Sequence, residues 1–359
     1  MKIGLIGLEK SGKTTVFNAL TGSNVQTSAF SSPRPEPNIA VVAVADPRVD
    51  RLRDMYHPKK TTYAFIECID FVGFSSGEER KEIFSASELA LVKNADALAL
   101  VLRNFNDELI DSVTGPPDPL ADLNTIVTEL VLSDLILAEN RLERIEHFIR
   151  RGASTPDMEV EKRALVKVRD ALGSNALIRS IGLSPEETRQ LRGFRFLTEK
   201  PLMVIVNSDE NRFGQNGGLL ATVEETMPAV EFAGRFEMEL SGLSEEDARE
   251  FMEDMNIEAS ARDRLTMLAY RVLGYITFFT VGQDEVKAWT IMKGGTAVDA
   301  AGAIHSDLAR GFIRAECFSY CDLMELGSEK ALRDKGLFRL EGKNYLVKDG
   351  DIMSIRFSV

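Results

Sequence analysis

Apolar residues fall along this chain in two rhythms. The first is a set of short, nearly continuous apolar runs: "KIGLIG" from Lys2, "NIAVVAVAD" from Asn38, "AFIECIDFVG" from Ala64, "ADALALVLRNF" from Ala95, "KPLMVIVNSDE" from Lys200 and "PAVEFAG" from Pro228. Runs of this length with little polar alternation read as strands buried on both faces of a sheet. Helical signals lie between them, so the connections should be right-handed crossovers and the sheet mostly parallel.

The second rhythm is helical. After the breaker "GPPDP" at Gly115, apolar residues recur at Leu123, Ile126, Val127, Leu130, Leu137, Leu142, Ile145 and Ile149. Such steps line one face of a long helix. "GASTP" at Gly152 turns the chain, and Asp157 to Leu172 reads as a returning helix, which makes an antiparallel hairpin. "LSPEET" opens a further helix, with Ser184 as N-cap, Pro185 at the first helical position and Glu187 three after the cap. From Tyr275 the strands shorten: "YITFFTVG", "EVKAWTIM", "IRAECFSY", "NYLVKDG" and "DIMSIRFSV", interrupted by a helix over 298–308. The pattern predicts an α/β chain in which residues 1–120 and 198–273 build one mostly parallel sheet. Residues 121–197 form a helical insertion, and residues 274–359 a small mixed β-rich domain.

Composition narrows the class. The 359 residues are 44% hydrophobic, enough for more than one core. The net charge of -13 argues against a broad electrostatic grip on nucleic acid, though a local basic patch is compatible with it. The three cysteines, Cys68, Cys317 and Cys321, fit no disulfide framework and suit a reducing compartment. No apolar run reaches the roughly 18 residues of a membrane span, and no signal peptide opens the chain. A cytoplasmic protein is expected.

The candidate chemistry begins at the end of the first strand. "GLEKSGKT" carries Gly7 and then Gly12-Lys13-Thr14 at the spacing of a P-loop. Glycines let backbone N–H groups turn toward phosphate oxygens, and the following helix points its positive end at the same place. Lys13 would add a point charge on the phosphates, and the Thr14 hydroxyl would ligate magnesium. The cradle as a whole spans Gly7, Glu9, Lys10, Ser11, Gly12, Lys13, Thr14 and Thr15. Asp70 ends the strand "FIECID" and is the natural second ligand toward magnesium. Gly73, three residues on, would give its N–H to the terminal phosphate, so Lys13 and Gly73 are the candidate catalytic groups.

"NSDE" at Asn207 lies at the mouth of a later strand, where guanine-binding proteins carry Asn-Lys-x-Asp. Here Ser208 replaces the lysine and Glu210 the aspartate. Glu210 reaches farther than aspartate, and an Asn207 amide can meet adenine as acceptor and donor. Asn207, Ser208, Glu210 and Ala233, beyond the next strand, are the candidate base contacts.

Taken together these stretches resemble the Obg-like ATPase (YchF) family. The resemblance rests on "GLEKSGKTTVFNALTG", "EPN" ending at Asn38, "ADPRVDRL" from Ala45, Asp70 with Gly73, and the Asn-x-x-Glu at Asn207 and Glu210. It continues through "TELVLSDL" and "FLTEKP" to the C-terminal "EVKAWTI", "GGTAVDAAGAIHSDLARGFIRAE" and "EGKNYLVKDGD", and covers nearly the whole chain. It implies a P-loop NTPase domain of the translation-factor class, an inserted helical hairpin and a C-terminal β-grasp-like TGS domain. It also implies a switch that binds ATP with magnesium, tolerates GTP, hydrolyses slowly or with a partner's help, and modulates translation on ribosomes. The alternatives are a nucleotide-binding scaffold with little or no hydrolysis and a GTP-preferring GTPase. The ribosome or ribosomal RNA would be met through the hairpin, with Arg141, Arg144, Arg150, Arg151, Lys162, Arg163, Lys167 and Arg169, and through the TGS domain. A monomer is expected, with no membrane or DNA partner.

The chain also departs from the family pattern. Glu9 and Lys10 stand where the family loop has Pro and Asn. Lys10 reads either as a cation in the place of a potassium ion or as a solvent-facing partner of Glu9. Arg34 stands where a threonine of the first switch would meet magnesium, and the second switch, from Phe74 to Phe84, keeps only Gly77 of a glycine-rich stretch. These changes leave the cradle intact and bear on hydrolysis.

Overall fold

A computed structural model describes residues 1–22, 37–71, 86–254 and 259–358. The second switch and the first as far as residue 36, with Arg34, Gly73, Phe74 and Gly77, lie outside the described residues. Seven strands occur in the first two thirds of the chain: β1 (Lys2–Ile6), β2 (Asn38–Ala43), β3 (Lys60–Thr62), β4 (Phe65–Asp70), β5 (Ala97–Asn104), β6 (Leu202–Ser208) and β7 (Ala229–Phe232). All but β3 form one sheet of order β2-β4-β1-β5-β6-β7. The pairs β1–β4, β1–β5, β5–β6 and β6–β7 are parallel.

Every residue of β5 and β6 is buried, as the continuous apolar runs predict. Parallel strands with covered faces bring their C-terminal ends to one edge, where ligands of open α/β sheets bind. That edge carries the loop after β1, Asp70 of β4, Asn104 of β5, Asn207 and Ser208 of β6, and Ala233 after β7.

The chain separates into two compact units. One comprises Met1–Val41 and Glu67–Arg264, the other Val42–Ile66 and Leu265–Val359. The stretch 42–66, expected inside an unbroken 1–120 segment, thus clusters with the C-terminal residues. Its strand β3 pairs in parallel with the strand Glu285–Met292 of the second sheet. A three-residue strand carries too little pattern to announce its partner.

The expected hairpin packs within the first unit. Its first arm is a single helix, Pro119–Arg150, and its second is Pro156–Gly173. Their apolar faces share a core with Ala138, Ile145, Ala164, Leu165 and Val168. Ser184 and Glu187 form the reciprocal capping box that the sequence signals. Asp134, buried on the long helix, accepts from the Leu197 N–H at 2.9 Å, and from the Thr198 N–H and hydroxyl at 2.7 Å each. It ties the root of the hairpin to the chain entering β6.

The second unit holds β8 (Tyr275–Thr280), β9 (Glu285–Met292), β10 (Phe312–Ser319), β11 (Arg339–Glu341) and β12 (Asp351–Phe357), in the order β11-β10-β12-β8-β9-β3. Two expectations differ here. "NYLVKDG" is not a strand; Leu346 makes only an isolated bridge to Thr296, and the stretch turns at Gly350 with φ 84°. The helix expected over 298–308 is two, Ala297–Ile304 and Ser306–Arg310, because His305 adopts an extended backbone and caps the second. Helical periodicity alone does not register such a one-residue break. The helix Ala297–Ile304 packs on Phe278, Ile291, Ala315 and Met353 of the sheet.

Candidate nucleotide site

The loop after β1 has the backbone a phosphate cradle needs. Gly12 sits at the N-cap of the helix Lys13–Thr21 with φ 84°, a conformation open to glycine. A Cβ there would collide with the Asn207 amide. At Gly7 a Cβ would lie 2.5 Å from the Val101 carbonyl oxygen and 2.9 Å from Ser11 Oγ. Close approach therefore requires both glycines, and at Gly12 the backbone turn requires one as well. Lys10 holds φ 64°, which is strained for a lysine. Glu9 is exposed, whereas Ser11 and Lys13 are buried.

Lys13 Nζ donates to the carbonyls of Gly7 at 3.2 Å and Leu8 at 3.1 Å. The ammonium is thus folded back over the loop. Burial pushes its pKa down to about 8, against the opposing pull of Asp70 and then Glu9.

Across the mouth, the Thr14 hydroxyl donates to Asp70 Oδ2 at 3.0 Å, and the Asn38 amide reaches the same oxygen at 3.3 Å. Asp70 is buried. A hydroxyl and a carboxylate at this distance are hard oxygen donors of the kind magnesium takes, with phosphate and water completing its shell. Among the described residues no cluster of three or more His, Cys, Asp or Glu side chains could cage a metal alone.

The base side differs from a simple reading of "NSDE". Asn207 is buried, and its amide faces the backbone on both sides. Nδ2 donates to the Ser11 carbonyl at 3.1 Å, and Oδ1 accepts from the Gly234 N–H at 3.1 Å. It locks the cradle to the turn after β7. Ser208 is also buried; its hydroxyl accepts from Asn104 Nδ2 at 2.9 Å and donates to Glu231 Oε1 at 2.6 Å. Glu210 is exposed in the turn after β6. Ala233 is the buried N-cap of the helix Gly234–Leu240, which packs on the helix Lys13–Thr21. Of the four candidates, Glu210 alone stands in solvent, while the other three shape the wall behind it.

Three residues of this wall escaped the sequence reading: Asn104, Asn216 and Glu231. Glu231 was legible in principle, because it is a carboxylate inside an otherwise apolar strand, and such a group is retained only with partners.

On the hairpin, most expected cations are neutralised locally. Arg141 makes a two-bond pair with Glu161 at 2.7 and 2.8 Å. Lys162 and Arg150 meet Glu146, Lys167 meets Glu187, and Arg169 meets Asp170. Among the described residues Arg144, Arg151 and Arg163 are exposed and make no ion pair. In the second unit Trp289 is half-buried, donating to Thr280 Oγ1 at 2.9 Å beneath Lys287 Nζ, which is 3.6 Å from its ring.

Residues 2–140 match the family model described as "50S ribosome-binding GTPase". Residues 275–358 match the YchF-GTPase C-terminal model, described as "Protein of unknown function (DUF933)". The whole chain is 36% identical to the "Ribosome-binding ATPase YchF" of Haemophilus ducreyi, 99% of which is covered. The chain belongs to the YchF family. The YchF protein of Bacillus subtilis, also called a ribosome-binding ATPase, is 34% identical over 99% of both chains. The solved structure of the Schizosaccharomyces pombe YchF GTPase superposes with a TM-score of 0.84 at 31% identity, covering 99% of this chain and 97% of that one. The parallel sheet with its P-loop, the helical hairpin and the C-terminal β-rich unit are thus a YchF fold. Within it, Lys10 holds φ 64°, a backbone that Asn or Gly tolerates far better than Lys.

Proposed function

We propose that this chain is a magnesium-dependent ATP-binding switch that hydrolyses slowly or with a partner's help and acts on ribosomes. The observation that carries the reading is the convergence at one sheet edge: the cradle around Lys13, Thr14 and Asp70 3.0 Å apart, and Asn207 bonded to the cradle itself. The triphosphate would lie on the N–H groups of Gly7 to Thr15. Lys13 would leave the carbonyls of Gly7 and Leu8 for the phosphates, and the fresh anion would draw its pKa back up. Thr14 and Asp70 would hold magnesium, which neutralises phosphate charge as it shifts. Catalysis in such sites is positioning and charge stabilisation, so an unassisted chain would turn over slowly. Glu210, the exposed carboxylate beside the wall, would accept from the adenine amino group.

The ribosomal assignment rests on the printed names of the relatives and on the "50S ribosome-binding GTPase" match. On the hairpin, Arg144, Arg151 and Arg163 are the cations left to meet RNA phosphates. Among the described residues no helix is long and apolar enough to cross a membrane, and we place the protein in the cytoplasm. Calorimetric titration with Mg-ATP and Mg-GTP side by side, with Lys13→Ala as control, tests the reading. ATP binding that the control loses supports it, and release of phosphate with and without ribosomes follows. Preference for GTP would overturn the base assignment, and binding of neither would overturn the switch.

A further inference from the structure

We propose that Glu231 is a positioning residue for the nucleobase: it fixes the loop 209–216 that presents Glu210, without touching the ligand. The inference deepens the nucleotide-binding reading above and rests on it.

Glu231 is only 7% exposed and lies on β7, one strand away from the loop. Its carboxylate gathers three donors. Oε1 accepts from the Ser208 hydroxyl at 2.6 Å and from the Asn216 amide; Oε2 accepts from the Gly214 N–H at 3.1 Å. Ser208 is the residue where the loop leaves β6, and Gly214 and Asn216 are where it closes onto the next helix. One carboxylate therefore joins both ends of the segment that carries Glu210. Asn104 donates to Ser208 Oγ at 2.9 Å, which leaves the hydroxyl proton to point at Glu231.

The loop has a second anchor of different chemistry. The Phe213 ring lies 5.1 Å from the Arg264 guanidinium carbon, and Arg264 is ion-paired to Glu237. Within the loop, the Arg212 and Phe213 N–H groups donate to the Asp209 carbonyl at 3.0 and 2.9 Å. Glu210 thus sits on a turn pinned from both sides. The neighbour of Ser208, Asn207, bonds to the phosphate cradle, so consecutive residues of β6 serve the cradle and the loop that carries Glu210.

A burial-only role for Glu231 would be met more cheaply by an apolar residue, because a desolvated carboxylate is unfavourable unless its acceptors are filled. Two of the three donors lie on the loop and the third where the loop leaves β6, which indicates what the carboxylate holds in place. Glu231→Gln keeps the shape but supplies amide hydrogens where an acceptor is needed, so at least one loop donor loses its partner.

The test compares binding of Mg-ATP and of magnesium tripolyphosphate, which engages the cradle without a base, for wild type and Glu231→Gln. Thermal melting checks that the variant is folded. Mg-ATP affinity should fall about tenfold while tripolyphosphate affinity stays within about twofold. If both ligands weaken together, or neither does, the positioning role is overturned. If Glu231→Gln does not fold, Ser208→Ala removes one donor and should weaken Mg-ATP alone, by about threefold; unchanged ATP binding there also overturns the proposal. Wild type that binds tripolyphosphate but gains nothing from the base would sink the inference and leave the cradle standing. Wild type that binds neither ligand would sink the nucleotide reading and this inference with it.

Discussion

The side chain of Asn207 bridges the Ser11 carbonyl and the Gly234 N–H, at 3.1 Å each. The phosphate loop and the turn after β7 are therefore held together by one buried amide. Asn207→Ala would leave a buried carbonyl and a buried N–H without partners, at a cost of about 2–4 kcal/mol. Urea denaturation should show that loss, and Mg-ATP affinity should fall with it. A variant as stable as wild type would mean that the cradle does not depend on this bridge.

Lys13 makes the site pH-sensitive, and the sign follows from its burial. The folded chain lowers its pKa from 10.5 to about 8, so the unfolded chain holds the proton more tightly. Stability without ligand should therefore rise with pH between about 8 and 10.5, by about 3 kcal/mol at most. Bound polyphosphate restores the proton. Titration at pH 8.5 in two buffers of different ionisation enthalpy should detect uptake of up to one proton per site, absent from any residual binding by Lys13→Ala. No proton linkage in wild type would contradict the buried ammonium.

Lys10 stores strain in the loop. Its φ of 64° is cheap for Asn or Gly and unfavourable for lysine by roughly 1 kcal/mol. Lys10→Asn should raise stability by up to about that amount in chemical denaturation. It also removes a cation from the loop. If the Lys10 ammonium stands in for a potassium ion, hydrolysis by the variant should become potassium-responsive. A rate indifferent to potassium would leave Lys10 as a surface residue.

Asp134 is the most heavily used carboxylate of the hairpin root. Burial pushes its pKa up, and the backbone N–H of Thr198, that of Leu197 and the Thr198 hydroxyl pull it down in turn. Asp134→Asn would turn part of the acceptor set into donors facing donors, a loss of about 2–3 kcal/mol. The midpoint of thermal unfolding should drop by several degrees. A shift within error would show that the hairpin is anchored by its apolar core alone.

Much of this architecture was readable in the chain before its structure. The uninterrupted apolar runs of β5 and β6 could be satisfied only between covered faces, and the P-loop spacing placed Lys13 and Thr14 at the head of a helix. Ser184 and Glu187 announced their cap because that signal is local. What escaped were relations between segments distant in sequence. The strand Lys60–Thr62 finds its partner beyond residue 280, and three residues carry no period by which to foresee it. Asn207 reads as a base contact, and only the fold shows that one hydrogen and one lone pair of its amide also serve the Ser11 carbonyl and the Gly234 N–H.

Sequence by itself determined most of the elements, the P-loop spacing and the family, because apolar period, glycine spacing and helix caps act over a few residues. Tertiary structure alone decided which polar groups are free for a ligand and which are consumed in holding the site together. A hydrogen bond depends on where two distant segments arrive. Asn207, Ser208 and Glu231 take their partners from that arrival, while Glu210 lies exposed in the turn after β6.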